Sequence, residues 1–301
     1  MKSGIINVYK EAGYTSFDVV AKLRGILHIK KIGHTGTLDP DAVGVLPICI
    51  GKATKVCDML TNTDKTYVAT LLMGVSTDTY DTSGTVLDEK EVNVTPEMVE
   101  KTIESFIGEQ EQIPPMYSAI KVNGKKLYEL AREGKVIERK ARRINIYNIE
   151  IIDINLPRVK MRIDCSKGTY IRSLCNDIGE KLGCHGCMEN LVRERVGNFS
   201  IDNTIIIEEI QSLMNENRVE EVLLPIDSVF SSYPKIKVKA KSQKACLNGA
   251  KLKFSDLVEG SYNENPQHKY YRLYLENGEF VGIYQKKQNN LVIEKMFYEN
   301  I

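Results

Sequence analysis

A change of texture near residue 230 constrains the fold of this chain more than any other feature. Up to that point, segments of helical and strand periodicity interleave. Beyond it come short alternating stretches, at 235–239, 270–276, 280–286 and 291–297, parted by turn signals such as Asn248-Gly249 and Asn277-Gly278. Strands this short, with no long helical stripe among them, predict a small β-rich module over 233–301. Ser231-Ser232-Tyr233-Pro234 reads as the linker into it. With 301 residues the chain has room for a second, larger domain over 1–230.

Within 1–230, Ser16 is placed to cap a helix with Phe17, Val20, Leu23 and Leu27 at helical spacing. Lys65 to Gly74, rich in Tyr, Val, Thr and Leu, reads as a buried strand. Thr95-Pro96-Glu97 carries three helix-start signals: a capping hydroxyl, proline at the first helical position and an acid in the first turn. Met98, Val99, Ile103, Phe106 and Ile107 mark that helix's face, and Gly108 closes it. Val159, Met161, Ile163 and Cys165 alternate with Lys160, Arg162 and Asp164, the pattern of a half-buried strand. Tyr170 to Leu182 follows as a helix ending at Gly183.

No apolar run approaches the roughly 20 residues that a membrane span needs, and the apolar part of the first nine residues is too short for a signal peptide. Seven cysteines without regular spacing suit a reducing compartment. A cytoplasmic protein with free thiols is expected. The net charge of +1 gives no global attraction for a polyanion, but its distribution is uneven. Residues 119–143 carry nine Lys/Arg against three Glu, and 235–253 carry seven Lys and no acid. Such blocks are either solvated faces or phosphate contacts, since polyanion binding needs local cationic density.

Residues 33–47, Gly-His-Thr-Gly-Thr-Leu-Asp-Pro-Asp-Ala-Val-Gly-Val-Leu-Pro, form a glycine-punctuated loop that displays Asp39 between a leucine and a proline. Glycine permits positive φ and close approach, and Pro40 withholds an N–H from any sheet. Taken alone, Asp-Pro beside glycines is a self-capping turn. Four further segments give it another meaning: Lys65-Thr66-Tyr67; Gly74-Val75-Ser76-Thr77-Asp78-Thr79-Tyr80-Asp81; Gln112-Ile113-Pro114-Pro115-Met116-Tyr117-Ser118-Ala119-Ile120-Lys121; and Cys165-Ser166-Lys167-Gly168-Thr169-Tyr170-Ile171-Arg172, with Leu191-Val192-Arg193 beyond. In this order and spacing the chain resembles the TruB family of pseudouridine synthases, from residue 31 to about 197.

The resemblance implies an α+β pseudouridine synthase fold: a mixed, largely antiparallel central sheet flanked by helices and loops, with a small C-terminal β-rich PUA-like RNA-binding domain. It implies an isomerase that breaks the N-glycosidic bond of a uridine in RNA and rejoins C5 to C1′, with no metal and no cofactor. Asp39 would be the nucleophile, attacking either C6 or C1′; Arg172 would hold it charged; Tyr67 would stack on the base and accept or relay the C5 proton. Tyr170 and Leu191 would line the pocket, Asp78 would make a polar contact near Arg172 or the flipped nucleotide, and His34 would fill the vacated stack once the base is extruded. Residues 109–143 resemble the thumb-like insertion of the stand-alone bacterial enzymes, ordered on binding RNA. The implied partner is the T-arm of tRNA at the uridine conventionally numbered 55, with the lysine-rich start of the C-terminal module reaching toward the acceptor stem. No obligatory protein partner and a monomer are expected.

Other readings have their own features. Cys184-His185-Gly186-Cys187 invites zinc or thiol redox chemistry, but structural zinc needs four ligands and a lone C-x-x-C supplies two. The same stretch departs from the family's Gly-Ala-His, as do Val192 and Glu194 further on. A non-catalytic RNA-binding or tRNA-folding protein is opposed by Asp39, Tyr67 and Arg172 occurring together, and a guide-RNA-dependent synthase subunit by the thumb-like segment.

Overall fold

The computed structural model describes residues 3–262 and 268–298. Eleven strands precede the fifth helix: β1 Gly4–Lys10, β2 Ile32–His34, β3 Val43–Ile50, β4 Lys65–Met73, β5 Val75–Thr77, β6 Val86–Glu89, β7 Gly108–Gln112, β8 Lys121–Val122, β9 Lys125–Lys126, β10 Arg142–Asn155 and β11 Arg158–Cys165. Seven follow it: β12 Gly186–Val196, β13 Phe199–Ser200, β14 Lys235–Lys237, β15 Leu252–Lys253, β16 Tyr270–Tyr274, β17 Phe280–Lys287 and β18 Asn290–Met296. The helices are α1 Ser16–Leu27, α2 Cys57–Thr61, α3 Pro96–Glu104, α4 Leu127–Arg132, α5 Ile171–Leu182, α6 Ile207–Asn215 and α7 Gln243–Leu247.

A nine-stranded sheet in the order β1-β3-β12-β4-β11-β10-β7, with β13 beside β12 and β2 beside β3, forms the body. Its pairings are antiparallel except β3 with β12. The expected α+β fold with a mixed, largely antiparallel sheet is therefore present. Val159, Met161, Ile163 and Cys165 are fully buried under α3 and α5, as their alternation predicts. Helices α1 and α6 cover β1 and β3. No helix among the described residues is long and apolar enough to cross a membrane.

Some local expectations change. The cap of α1 is Thr15, in a capping box with Asp18, and not Ser16. Ser16 is buried, and its hydroxyl accepts the Leu38 N–H at 2.9 Å. Phe17 points outward, 64% exposed, while Val19 takes its place in the core. Thr95 caps α3 as predicted, but that helix stops at Glu104, and Gly108 opens β7 instead of closing the helix. Met98 and Ile107 face solvent.

The C-terminal sheet runs β14-β16-β17-β18-β15, close to the strand limits predicted. Residues 231–234 are not a loose linker. Arg272 of β16 donates to the carbonyls of Tyr233 (2.8 Å) and Ser231 (3.2 Å), and Tyr233 stacks between Phe230 and Tyr270. Ile283 and Phe297 join an apolar cluster with Val45, Cys49 and Phe199, so the module packs on the body through a shared core. A texture change marks where strand pairing changes partners; it does not report whether two sheets also share buried surface.

Candidate active site

The loop between β2 and β3, residues 35–42, carries Asp39 and is held from several sides. Leu38 and Ala42 are buried and peg it into the core. Buried Lys10 donates to the Pro40 carbonyl at 2.8 Å, and the Gly13 N–H donates to the same oxygen at 3.0 Å. From β12, fully buried Arg193 donates to the carbonyls of Val45 (2.7 Å), Thr37 (3.3 Å) and Gly36 (3.3 Å). Gly44 makes that approach possible: at φ 108°, a Cβ there would lie 2.3 Å from the Arg193 carbonyl oxygen.

Asp39 projects from this frame with 37% of its side chain exposed, and its Oδ1 accepts from Arg172 Nη2 at 3.0 Å. Arg172, in the first turn of α5, is itself fixed. Its Nη1 donates to the Thr79 carbonyl (3.1 Å) and lies 3.3 Å from Asp81 Oδ2; its Nη2 also donates to the Tyr117 carbonyl (2.9 Å). A cation at a helix N-terminus costs about 0.3–1 kcal/mol against the macrodipole, and here two carboxylates offset it. Burial pushes the Asp39 carboxyl above the usual carboxylate range; Arg172 opposes that rise, Asp81 and Asp41 add to it, and Lys10 counters them. The Lys10 amine is pulled down to about 8, first by burial.

Tyr67 of β4 is buried in register with Arg193 and shares an apolar cluster with Leu38, Ile171 and Leu191. Burial pushes its phenol above the ordinary value, with Arg193 pulling the other way, so it is protonated at neutral pH. Tyr170 precedes α5 and is tied by Gln112, which accepts its N–H (2.8 Å) and donates to its carbonyl (3.0 Å). Strand β7 thereby sets the start of the Arg172 helix. His34 ends β2. Its Nδ1 accepts the Gly36 N–H (3.3 Å), and burial pulls its pKa below the usual value, leaving a neutral ring. It lines a cleft of about 580 Å³ with Phe17, Arg24, Lys31 and Cys57.

Asp78 accepts from the Thr85 N–H (2.8 Å) and from the hydroxyl of Tyr117 (3.2 Å), the residue whose carbonyl takes Arg172 Nη2. The loop between β5 and β6 turns back through Tyr80 at φ 64° and bridges Met188, which delivers Asp81 to the guanidinium itself.

Residues 24–171 match the family profile described as TruB family pseudouridylate synthase (N terminal domain), and 172–231 match the tRNA pseudouridylate synthase B C-terminal domain. The chain is 50% identical to the tRNA pseudouridine synthase B of Lachnoclostridium phytofermentans over 98% of this chain and 99% of that one. It is 49% identical to that of Clostridium novyi, again over 98% and 99%. The chain belongs to the TruB family. Among solved structures, it superposes with a TM-score of 0.73 on a chain of an H/ACA RNP bound to a substrate RNA containing 2′-deoxyuridine, at 25% identity over 98% of this chain and 85% of that one. A Cbf5-Nop10-Gar1 complex gives the same score at 27% identity, with the same coverage.

The two TruB profiles meet between residues 171 and 172, so the pair Asp39–Arg172 joins them across the sheet. Four residues of this TruB site were not assigned roles from sequence: Lys10, Asp81, Gln112 and Arg193. Lys10 leaves a faint trace as the one charged residue of β1, whereas Arg193 leaves none, since β12 also carries Glu189, Glu194 and Arg195. The cysteines of Cys184-x-x-Cys187 are free and buried, and the His185 ring between them faces Asp88 and Glu180. No metal-holding cluster of three or more His, Cys, Asp or Glu is found among the described residues.

Proposed function

We infer that this chain is a tRNA pseudouridine synthase acting on the T-loop uridine at position 55. The carrying observation is the carboxylate of Asp39, displayed on a loop locked at its backbone and paired at 3.0 Å with a guanidinium that is itself held by three further groups. Such a carboxylate is paired with a fixed cation, oriented and open to a ligand on one side, the requirements for a nucleophile at C6 or C1′. The reaction balances within the substrate: the C1′–N1 bond breaks, the C1′–C5 bond forms, C5 loses its proton and N1 gains one. Protonated Tyr67 supplies a stacking face and relays the C5 proton by accepting as it gives up its own. Tyr170 and Leu191 wall the pocket.

The neutral His34 ring beside a cleft suits stacking in the gap left by the extruded base, since a neutral aromatic face costs less to desolvate than a cation. The segment 109–143 clamps the T-arm through its cationic density, and the PUA-like module adds contacts toward the acceptor stem through its lysines. The near-full-length relatives carry the name of a tRNA enzyme, which supports a cytoplasmic protein acting without an obligatory partner. The test is release of tritium from unmodified tRNA labelled at C5 of uridine, followed by mapping of the product. Release matched by pseudouridine at T-loop position 55 is expected with this chain alone. No release, or conversion elsewhere, overturns the assignment.

A further inference from the structure

We propose that His185 is a positioning residue: as an imidazolium bridging Asp88 and Glu180, it pins the β5–β6 hairpin against α5 and so keeps Asp81 and the Thr79 carbonyl on Arg172. The argument begins with geometry. His185 Nδ1 lies 2.6 Å from Glu180 Oε1, and Nε2 lies 2.9 Å from Asp88 Oδ2. An ionised carboxylate can only accept, so both ring nitrogens carry a proton when both contacts are made. The ring is 12% exposed and sits on a residue at φ 61°, whose backbone lies against Gly179 of α5. Its place is therefore set by the fold.

The three groups come from three elements. Glu180 is in the last turns of α5, His185 leads into β12, and Asp88 is on β6. Arg172 stands at the other end of the same helix, about 12 Å away at 1.5 Å per residue. The hairpin thus touches α5 twice: through Asp88 and His185 at one end, and through Thr79 and Asp81 at the other. Between these points Met188 exchanges backbone bonds with Tyr80 and Thr82. Loosening the outer contact lets β6 tilt about Met188 and moves Asp81 relative to the guanidinium that orients Asp39.

The charged groups facing the ring are Asp88 and Glu180, which favour the imidazolium, and Lys90 just beyond β6, which opposes it; the net shift is upward. The double bridge is therefore complete below the ordinary histidine value near 6.5 and is lost as pH rises through the higher folded value. This proposal rests on Asp39–Arg172 being the catalytic pair.

The experiment measures single-turnover rate, RNA affinity and hydrogen exchange of residues 75–89 against pH in the wild type, Asp88→Asn and His185→Gln. The wild-type rate should fall on the alkaline side while exchange of the hairpin rises beyond the intrinsic pH effect. In both variants that limb should vanish, with the rate at pH 7 lower by about 3–10-fold and affinity within about twofold. Asp88 is 62% exposed, so Asp88→Asn serves if His185→Gln does not fold. An alkaline limb that survives in Asp88→Asn, or a variant rate equal to wild type at pH 7, overturns the proposal. Exchange of 75–89 reads the clasp without turnover, so failure of the functional assignment would be separately visible as a wild-type chain that makes no pseudouridine.

Discussion

Replacing Arg193 with methionine tests whether the loop that carries Asp39 is held from β12. The side chain is fully buried and donates to three carbonyls, of Val45 at 2.7 Å and of Thr37 and Gly36 at 3.3 Å. Hydrogen bonds from a charged donor contribute about 1.5–3 kcal/mol each; the short one belongs near the top of that range and the long pair well below it. Against their loss stands relief from burying a cation, which burial already disfavours strongly enough to lower the guanidinium pKa. Methionine nearly matches the volume, so the net cost is about 2–4 kcal/mol. At ~2–4 °C per kcal/mol for a chain of this class, Tm should fall by roughly 4–16 °C. Turnover should suffer more, because an ångström of play at a reacting group costs on the order of 100-fold. Calorimetry and single-turnover tritium release at a temperature where the variant is folded measure both. A rate within twofold of wild type would refute the idea that these three carbonyl contacts position Asp39.

Asp39→Asn should abolish turnover and keep RNA binding. Because the folded-state carboxyl is raised, its stabilising contribution belongs to the protonated form and is lost as pH rises through that value; at neutral pH the asparagine variant should melt no lower than wild type, and a clear drop in Tm would contradict the burial argument. Asp81→Asn should lower the rate and shift the acid limb of the pH–rate profile downward, since Asp81 helps to raise Asp39; an upward shift would reverse the assigned sign. Gly44→Ala should cost about 1–3 kcal/mol through strain and contact with Arg193, whereas Gly124→Ala, also at positive φ but with open space, should cost less by denaturant unfolding. RNA affinity should fall linearly in log–log against salt if the blocks at 119–143 and 235–253 meet phosphates; a flat plot would remove them from the interface.

Periodicity is a property of neighbours along the chain, and elements defined that way were legible. The alternation 159–165, the three start signals at Thr95, and Gly183 closing α5 in the left-handed conformation all appear as the sequence predicts. Where two equivalent signals stood side by side, local pattern was not enough. The pattern put the cap of α1 at Ser16, and the structure uses Thr15 one position earlier because Ser16 is buried against Leu38. Asp78 and Asp81 are both acids in one polar loop, and the turn at Tyr80 decides which of them reaches Arg172.

The amino-acid sequence by itself determined the family, through motifs at fixed spacings, and the strand-rich end of the chain, through alternation. The α+β class and the expectation that Asp39 and Arg172 act together came with the family resemblance those motifs carry. Tertiary structure alone decided what surrounds the carboxylate. Lys10 reaches Pro40 across 30 positions, Arg172 reaches Asp39 across 133, and Arg193 reaches Gly36 across 157. Contacts over such separations depend on which strands pair. The parallel pairing of β3 with β12 sets Arg193 against Gly44 behind the loop, and a buried charge placed there has loop carbonyls within reach.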